Sequence, residues 1–373
     1  MRVFINSLSV TGLSGRHVVH GFLKPILKWT QGRHEYTYLH FESEAPPDEL
    51  RQPHVHCVAV PDALRSWMRR SVWELRALPK MVQAERADLY FSPAGAMVPG
   101  IKQPQVVLCQ NPWCYVPSAQ SGWTAPAKAW LQRRAYAYSL GNAALMVFIS
   151  KHLRDLYRAG SPRIKEVTSE IAYPAIDDET HAAAAQLSQT VQRDPNLIVS
   201  ISAMAPWKGA DRLVKVVGAL RAQGIGAKLK LVGPWPVPWY EQRVRNLIQT
   251  EGLTDAVEIT GMVSKADLHR HYAEAQVYCL LSDCESYGIP AAEATAFGTP
   301  VVACQGCAIP EICGPGGVYV PPKDDAAAVA ALQSILTNNS EWESLSAGAR
   351  LNATKFHWDQ CAEPLMNMFT LAT

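Results

Sequence analysis

Long apolar runs are missing from this 373-residue sequence. A helix that crosses a bilayer needs about 18 to 20 consecutive apolar residues, and no such run occurs. The first residues, MRVFINSLSV, begin a strand-like pattern at once and lack the cleavable apolar segment of a secretory signal peptide. These two absences predict a cytoplasmic protein and argue against secretion or a membrane span.

Paired cysteine patterns are also missing. The nine cysteines are odd in number and scattered along the chain. Cys304 and Cys307 form the only C-x-x-C, and no second Cys or His pair at zinc-ligand spacing accompanies it. We therefore expect reduced, mostly buried thiols and no metal ion.

Repeats and low-complexity segments are absent, and charge is sparse but unevenly placed. Charged residues make up 18% of the chain and hydrophobic residues 48%, an ordinary composition for a protein long enough to form two domains. Residues 1–178 carry 21 Lys and Arg against 14 Asp and Glu (+7), whereas residues 179–373 carry 14 against 19 (−5). The change falls in the stretch AIDDETHAAAAQLSQTVQRDPN, which we interpret as the linker and the lead-in to the second domain.

Strands and helices alternate in both halves of the sequence. Short apolar runs such as MRVFINSL, QVVLCQN, NLIVSISA and QVYCLLS are separated by helical segments of roughly 10 to 15 residues. Continuous apolar strands between helices are typical of parallel sheets covered on both faces. The sequence therefore predicts an α/β protein with two doubly wound, Rossmann-like domains that face each other across a cleft.

Two loops carry the strongest site signals, because ligands of such sheets bind at the carboxyl ends of the strands. In LLSDCESYGIP, a helix begins after Gly288, and the amides of Tyr287, Gly288 and Ile289 can bind an anion. In SAMAPWKGADRL, Lys208 and Gly209 precede another helix. A lysine there opposes the helix dipole, which predicts a bound anion such as a diphosphate.

Two acids flank the first of these helix starts. Glu285 lies in the loop, and Glu293 lies about one turn into the helix. A carboxylate disfavours an anion beside it, so we interpret Glu293 as an acceptor of hydrogen bonds from neutral hydroxyl groups. Two acids that flank a glycine at a helix start indicate a polar ligand.

Motifs in a fixed order give a resemblance that covers nearly the whole chain. The E-x7-E spacing within CESYGIPAAEATAFGTPVVA, preceded by MAPWKGADRLV, LKLVGPWP and VEITGMVSKADL, resembles the signature of the retaining glycosyltransferases of family four. The resemblance implies the GT-B fold, with an acceptor-binding domain over residues 1–178 and a nucleotide-sugar-binding domain over residues 179–355. The segment KFHWDQCAEPLMNMF implies that residues 356–373 form a helix that packs back on the first domain.

The resemblance also implies a role for each site residue. Glu285 would hold hydroxyls of the donor sugar, and Glu293 would bind the nucleotide ribose. Lys208, together with the amides at the helix start, would bind the diphosphate, and Val263 would meet the base through its backbone. Gly15, in the glycine turn after the first strand, would approach the diphosphate or the acceptor.

Three features bear on the mechanism that the resemblance implies. Ala203 stands where relatives commonly carry an arginine that binds the phosphates, and Gln110 and Asn111 stand where many carry a histidine. Because an amide is not a general base, the implied reaction is one in which the leaving phosphate accepts the acceptor's proton, while Gln110 and Asn111 position sugar or acceptor hydroxyls. The paired aspartates at 177–178 and 324–325 lack the Asp-x-Asp spacing of a metal site, so the implied reaction is metal-independent.

Cations and tryptophans are interleaved in residues 64–80. The segment DALRSWMRRSVWELRALPKMVQ places Trp67 and Trp73 among arginines, a pattern typical of a helix that lies on an anionic membrane surface. A solvated helix whose tryptophans face the core is the alternative. No nucleic-acid recognition motif is present, so we expect no nucleic-acid partner.

The hypothesis that results is a retaining glycosyltransferase without a cofactor. It would move a hexosyl group from a UDP- or GDP-linked sugar to a hydroxyl of a glycan or glycolipid, in bacterial-type polysaccharide or lipopolysaccharide assembly. Its location would be cytoplasmic, with peripheral contact at the inner face of the membrane. Two alternatives stay open at this point: a catalytically silent nucleotide-sugar-binding protein, and another GT-B enzyme such as a sugar-nucleotide epimerase.

Overall fold

A computed structural model describes residues 1–10, 12–120 and 122–371. The chain divides into two compact units, of which the first comprises Met1–Ala175 and Trp358–Thr373 and the second Ile176–His357. Each unit contains one parallel sheet with helices packed on it. The predicted fold class of two doubly wound α/β units is confirmed.

The first unit is built on a seven-stranded sheet of order β3-β2-β1-β4-β5-β6-β7. Its strands are β1 (Arg2–Asn6), β2 (Glu35–Phe41), β3 (Val55–Val60), β4 (Leu89–Ser92), β5 (Gln105–Cys109), β6 (Leu145–Phe148) and β7 (Ser169–Ile171). Its first four helices are α1 (Leu13–Trp29), α2 (Trp67–Ala84), α3 (Ala125–Asn142) and α4 (Lys151–Gly160). Every residue of β4, β5 and β6 is buried, as expected for continuous apolar strands covered on both faces.

The second unit has a six-stranded sheet of order β10-β9-β8-β11-β12-β13. Its strands are β8 (Asp194–Ile201), β9 (Lys228–Val232), β10 (Val257–Gly261), β11 (Ala275–Leu280), β12 (Val301–Cys304) and β13 (Gly317–Val320). Its helices are α5 (Asp178–Thr190), α6 (Ala210–Ala222), α7 (Pro238–Thr250), α8 (Lys265–Glu274), α9 (Ile289–Ala296), α10 (Ile309–Cys313), α11 (Asp325–Thr337) and α12 (Asn339–Ala353). The strand order reverses between β8 and β11, which is where such a sheet opens a ligand crevice.

The stretch interpreted as the linker and lead-in to the second domain is largely helical and belongs to the second unit, so only its interpretation as a linker was wrong. Helix α5 occupies Asp178–Thr190 within it, with Asp178 and Glu179 in its first turn. Alanine is the strongest helix former, and acids at a helix start complement the dipole. These two local preferences favour a helix although the stretch contains many polar residues.

The end of the chain joins the first unit but is not one continuous helix. Helix α13 covers only Trp358–Ala362, and a 3₁₀ helix follows over Glu363–Thr370. Pro364 has no N–H to donate to the preceding turn, so the α-helix ends before it. The last two positions of the predicted helix, 372 and 373, lie outside the described residues.

Trp358 attaches this terminal segment to α1. Its ring meets Phe22 edge-on at a centroid distance of 5.3 Å and His17 at 5.7 Å, and it is 7% exposed. A Cβ added at Gly21 would fall well inside the van der Waals radius of the Trp358 ring. Gly21 is therefore the position on α1 that lets the tryptophan approach the helix backbone.

We expect Gly21→Ala to destabilise the first unit by about 1 to 3 kcal/mol, because the ring must move to admit a methyl group. Gly218→Ala in α6 is the matched control, since a Cβ there meets its nearest neighbour, Leu253, at 3.5 Å. That helical substitution is expected to stabilise by roughly 0.5 to 1 kcal/mol. Urea unfolding followed by tryptophan fluorescence measures both, and equal effects of the two substitutions would contradict the packing role of Gly21.

Candidate functional site

The loop between β11 and α9 ends in a glycine that begins the helix. Gly288 has φ 95° and precedes Ile289, the first residue of α9. A Cβ at Gly288 would lie 2.8 Å from Ile309, so both the backbone conformation and the space require glycine. Pro290 has no N–H, and the amides of Ala291 and Ala292 donate to the carbonyl of Gly288, so the amide of Ile289 is the one at the start of α9 without a partner within the helix.

Tyr287 offers only its backbone to such a ligand. Its side chain is 2% exposed and packs edge-on against Phe356 at 6.3 Å between ring centroids. Burial of this ring holds the chain in place immediately before Gly288. The predicted use of the amides of Tyr287, Gly288 and Ile289, rather than of their side chains, is consistent with this arrangement and stays a prediction.

The loop after β8 packs directly on the end of β11. Gly209 has φ 74°, and a Cβ there would lie 2.5 Å from the carbonyl oxygen of Leu281. The backbone N–H of Asp283 donates to the carbonyl of Trp207 at 2.8 Å. These two contacts join the loops at adjacent strand ends and carry Lys208 to the start of α9.

Lys208 and Glu285 form an ion pair. The Nζ of Lys208 donates a hydrogen bond to Oε1 of Glu285, and the two side chains are 17% and 11% exposed. Partial burial strengthens the attraction, because the surrounding dielectric is lower than that of water. Lys208 follows β8 and Glu285 follows β11, and each was predicted independently as a site residue. The structure brings the two side chains into direct contact at the N-terminus of α9.

Glu293 lies on α9 in a different environment. Its Oε2 accepts a hydrogen bond of 2.8 Å from the hydroxyl of Tyr272. Burial raises the pKa of Glu293 to about 7, an effect that the Tyr272 hydrogen bond and Lys265 oppose and that Asp177 reinforces. The carboxyl group is therefore close to half-ionised at neutral pH.

Val263 lies in the turn between β10 and α8. Its side chain is partly buried and packs against the core cluster that contains Ala291 and Ala294 of α9. The turn is held to its neighbour by the N–H of Gly233, which donates to the carbonyl of Gly261 at 2.8 Å. Val263 thus follows the end of β10, on the same edge of the second sheet as the lysine and glutamate loops.

The first-unit candidates gather at the carboxyl edge of the other sheet. Gly15 lies in the first turn of α1, not in the turn before it, because the helix begins at Leu13. A Cβ on Gly15 would come within 3.6 Å of Oε1 of Gln110. The Nε2 of Gln110 donates to the carbonyl of Pro93 at 2.9 Å, which fixes the orientation of the amide.

Asn111 is exposed but is partly engaged by its own loop. Its Oδ1 accepts a hydrogen bond of 2.9 Å from the backbone N–H of Trp113. The hydroxyl of Tyr157 donates to the carbonyl of Asn111 at 3.2 Å. The side-chain oxygen is therefore occupied in a turn, which leaves the amide nitrogen as the group of Asn111 that can meet a ligand.

A polar pocket at the same edge of the first sheet was missed from the sequence. Its lining includes Ser7, Arg16, His20, His40 and Glu44. Glu44 accepts from Arg16 at 2.5 Å and from Arg65 at 2.7 Å, and His20 Nε2 lies 3.1 Å from the hydroxyl of Tyr38. A signal did exist, because Arg16 and His20 are four residues apart on one helix and so share a face beside the end of β1.

Ala203 leaves the second-unit site with few cations. It is exposed in the loop after β8 and adds no charge. Arg212, the nearest arginine along the chain on α6, is bound to Asp325 at 2.7 Å and to the carbonyl of Leu281 at 3.2 Å. Arg212 therefore serves the local packing and does not replace the missing arginine.

Solved structures share this architecture over nearly the full chain. Sucrose-phosphate synthase from Thermosynechococcus elongatus superposes with a TM-score of 0.75 at 18% identity, covering 99% of this chain and 98% of that one. The chain has the GT-B fold. Anabaena Alr3699/HepE, solved in complex with UDP and glucose, gives a TM-score of 0.73 at 17% identity over 99% of both chains. WaaG, described as a glycosyltransferase involved in lipopolysaccharide biosynthesis, gives 0.67 at 15% identity, covering 100% of this chain and 99% of WaaG.

Sequence comparison concerns mainly the second unit. Residues 185–352 match the family described as glycosyl transferases group 1. MMP alpha-(1->4)-mannosyltransferase of Mycolicibacterium hassiacum is 32% identical over 187 residues, which are 48% of this chain and 43% of that protein. A GDP-mannose-dependent alpha-(1-6)-phosphatidylinositol monomannoside mannosyltransferase of Mycobacterium tuberculosis is 28% identical over 236 residues, 59% of this chain and 60% of that protein. The chain thus matches about half the length of these curated relatives.

Among the described residues, no three His, Cys, Asp or Glu side chains are grouped so as to hold a metal ion. Within the same part of the chain, no helix has the length and apolar character required to cross a membrane. Independence from metal stays a prediction.

The raised pKa of Glu293 predicts how stability depends on pH. The folded protein holds the Glu293 proton up to about pH 7, whereas the unfolded chain releases it near pH 4.5, so this residue lowers stability as pH rises between those values. We expect Glu293→Gln to stabilise the protein by on the order of 2 kcal/mol above pH 7 and to have no effect below pH 4. The amide oxygen can still accept from Tyr272.

Thermal unfolding of both proteins between pH 4 and pH 8 measures this difference. Glu251→Gln, at an exposed position that ends α7, is the control for removing an acid from the surface. A stability difference for Glu293→Gln that does not change with pH would contradict the buried, protonated carboxyl.

Proposed function

We propose that this protein is a retaining glycosyltransferase of family four, which transfers a sugar from a nucleotide diphosphate donor to a hydroxyl group. The observation that carries the proposal is the contact of Lys208 with Glu285 at the N-terminus of α9, beside the left-handed Gly288. The match of residues 185–352 to glycosyl transferases group 1 supports it.

The donor is assigned to the second unit, residues 179–355. The amides of Tyr287, Gly288 and Ile289 and the ammonium of Lys208 bind the diphosphate, and Gly209 keeps the lysine loop close to it. Glu293 accepts hydrogen bonds from the ribose, and Val263 contacts the base through its backbone. A neighbouring fold solved with UDP and a relative described as GDP-mannose-dependent support UDP or GDP as the nucleotide.

The reaction breaks the bond between the anomeric carbon and the diphosphate oxygen. Negative charge grows on the leaving group, and the helix amides and Lys208 stabilise it without reorganising. Lys208 reaches the phosphate by leaving Glu285, which frees that carboxylate to bind sugar hydroxyls near the reacting carbon. The departing phosphate accepts the proton of the acceptor hydroxyl on the same face of the sugar, which gives retention and requires neither a protein base nor a metal ion.

The acceptor is assigned to the first unit, residues 1–178. Gln110 offers a fixed amide and Asn111 a free amide nitrogen, and Gly15 keeps the backbone of α1 open beside them. A hydroxyl of a glycan or glycolipid fits such uncharged hydrogen-bonding groups. The described activity of WaaG and the phosphatidylinositol mannoside named in a relative's description support polysaccharide or lipopolysaccharide assembly.

A panel of UDP- and GDP-linked sugars tests the proposal, with donor hydrolysis and transfer measured in the presence of simple glycosides. Lys208→Ala and Glu285→Gln are each expected to lower turnover by roughly 100- to 1,000-fold, the usual effect of removing one transition-state contact. Lys215→Ala on α6, an exposed lysine, is the matched control. Binding of a sugar nucleotide without turnover, and with no effect of Glu285→Gln, would instead favour a silent binding protein.

We further propose that the outer face of α2 contacts an anionic membrane. Met68, Val72 and Leu75 are exposed by 59%, 49% and 54%, and the exposed cations Arg69 and Arg76 lie beside them on the helix. Apolar side chains flanked by arginine are the pattern of a helix that lies in a lipid interface. Of the two tryptophans, Trp67 is exposed, whereas Trp73 packs against the core.

Vesicle co-sedimentation measures this contact. Replacing Met68, Val72 and Leu75 together with Gln is expected to lower binding to vesicles that contain phosphatidylglycerol by at least tenfold, because three interfacial side chains are lost. Leu351→Gln, an equally exposed leucine of the second unit, is the control. Unchanged binding, or binding that does not depend on anionic lipid, would contradict the proposal.

A further inference from the structure

A polar cavity lies at the amino ends of the strands of the first sheet. It has a volume of about 660 Å³ and lies where β1, β2, β3 and β4 begin. All strands of this sheet are parallel, so the cavity is at the opposite edge from Gly15 and Gln110. We call it the amino-edge cavity and define it by Arg2, Arg33, His34, His54 and Arg86, with Glu35 and Asp88.

The two acids of this cavity are already bound. Glu35 pairs with the guanidinium of Arg2 at 3.0 Å, and Asp88 accepts from the backbone N–H of Arg2 at 2.8 Å. Within the described residues, neither Arg33 nor Arg86 has an acidic partner; the guanidinium of Arg33 donates to the carbonyl of Trp29. Because Asp88 is bonded to a neutral amide, its charge offsets one of these two guanidinium groups, and one positive charge remains in excess.

Arg86 keeps its place against a conformational penalty. It has φ 51°, and its N–H donates to Gln83 while that of Ala87 donates to Val82, so Arg86 is the left-handed residue that ends α2. Glycine is the usual residue there, because a side chain in that conformation costs roughly 1 kcal/mol. A cation at the end of a helix interacts favourably with the helix dipole, by roughly 0.3 to 1 kcal/mol, so the charge of Arg86 offsets part of this cost.

His54 adds an unsatisfied polar atom. Its ring packs edge-on against Tyr36 at 6.0 Å, and its Nε2 is buried with no hydrogen-bond partner among the described residues. Buried polar atoms in folded proteins nearly always have a partner. This nitrogen has almost no accessible surface, so a ligand in the cavity would meet it only if the imidazole ring turned.

We propose that the amino-edge cavity binds a small phosphorylated molecule, separate from the donor and acceptor of the proposed function. The planar guanidinium groups of Arg33 and Arg86 match phosphate oxygens bidentately. The volume lies in the range of small-molecule sites, about 300 to 1,000 Å³.

Isothermal titration with inorganic pyrophosphate at fixed ionic strength tests this site. Pyrophosphate also fits the diphosphate site proposed in the second unit, so every protein carries Lys208→Ala. We expect this protein to bind pyrophosphate, and we expect added Arg33→Ala or Arg86→Gly to weaken binding at least tenfold. Lys102→Ala, at an exposed lysine outside the cavity, leaves affinity unchanged.

Arg86→Gly separates binding from folding. Glycine relieves the left-handed backbone, so this variant is expected to melt no lower than its parent in the absence of ligand while losing affinity. Absence of binding to the Lys208→Ala protein, or full affinity in the arginine variants, would overturn the site. Loss of phosphatidylglycerol vesicle binding in Arg33→Ala and Arg86→Gly would overturn its assignment to a free molecule. These results do not depend on sugar transfer, so they stand apart from failure of the proposed function.

Discussion

The close approach of Gly209 to the end of β11 is the constraint on which the second-unit site depends. The left-handed glycine lies against the carbonyl of Leu281, where a Cβ would be only 2.5 Å away, and Asp283 is bonded to Trp207 in the same place. Any larger residue at position 209 would separate the two loops. The ion pair between Lys208 and Glu285 would then break, and Lys208 would move away from the start of α9 at Gly288.

The two acids of the E-x7-E motif differ because their surroundings differ. Glu285 faces an ammonium group and shares its charge with Lys208, whereas Glu293 faces a tyrosine hydroxyl and has its pKa raised by burial. One motif therefore contains two chemically distinct acids, and only their neighbours reveal it.

Much of the fold could be predicted because its signals are local and repeated. Continuous apolar strands such as Gln105–Cys109 and Val301–Cys304 are buried on both faces, and the helices between them follow a regular alternation. The errors arose where a local signal was ambiguous. Alanine-rich residues after Asp178 looked like a linker but form α5, and Pro364 divided a terminal segment that looked like one helix.

The sequence predicted only those candidate site residues that belong to recognisable motifs. Lys208, Gly209, Glu285 and Gly288 lie in loops that follow strands, and a parallel sheet brings such loops to one edge whatever their distance in sequence. The pocket around Arg16 and Glu44 was not predicted, because its residues come from separate elements and share no sequence motif. The amino-edge cavity was not predicted for the same reason. Arg33 and Arg86 belong to no motif, and they become neighbours only because β2 and β4 begin at the same edge of the sheet.

The sequence by itself determined the alternation of strands and helices, the glycines that permit left-handed turns and the spacing of the two acids. These properties depend on the conformational preferences of individual residues and on their near neighbours. Only the tertiary structure decided that Lys208 pairs with Glu285, that Tyr272 donates to Glu293 and that Nε2 of His54 has no partner among the described residues. Such pairings depend on burial and on distances between separate elements, which arise when the sheet forms.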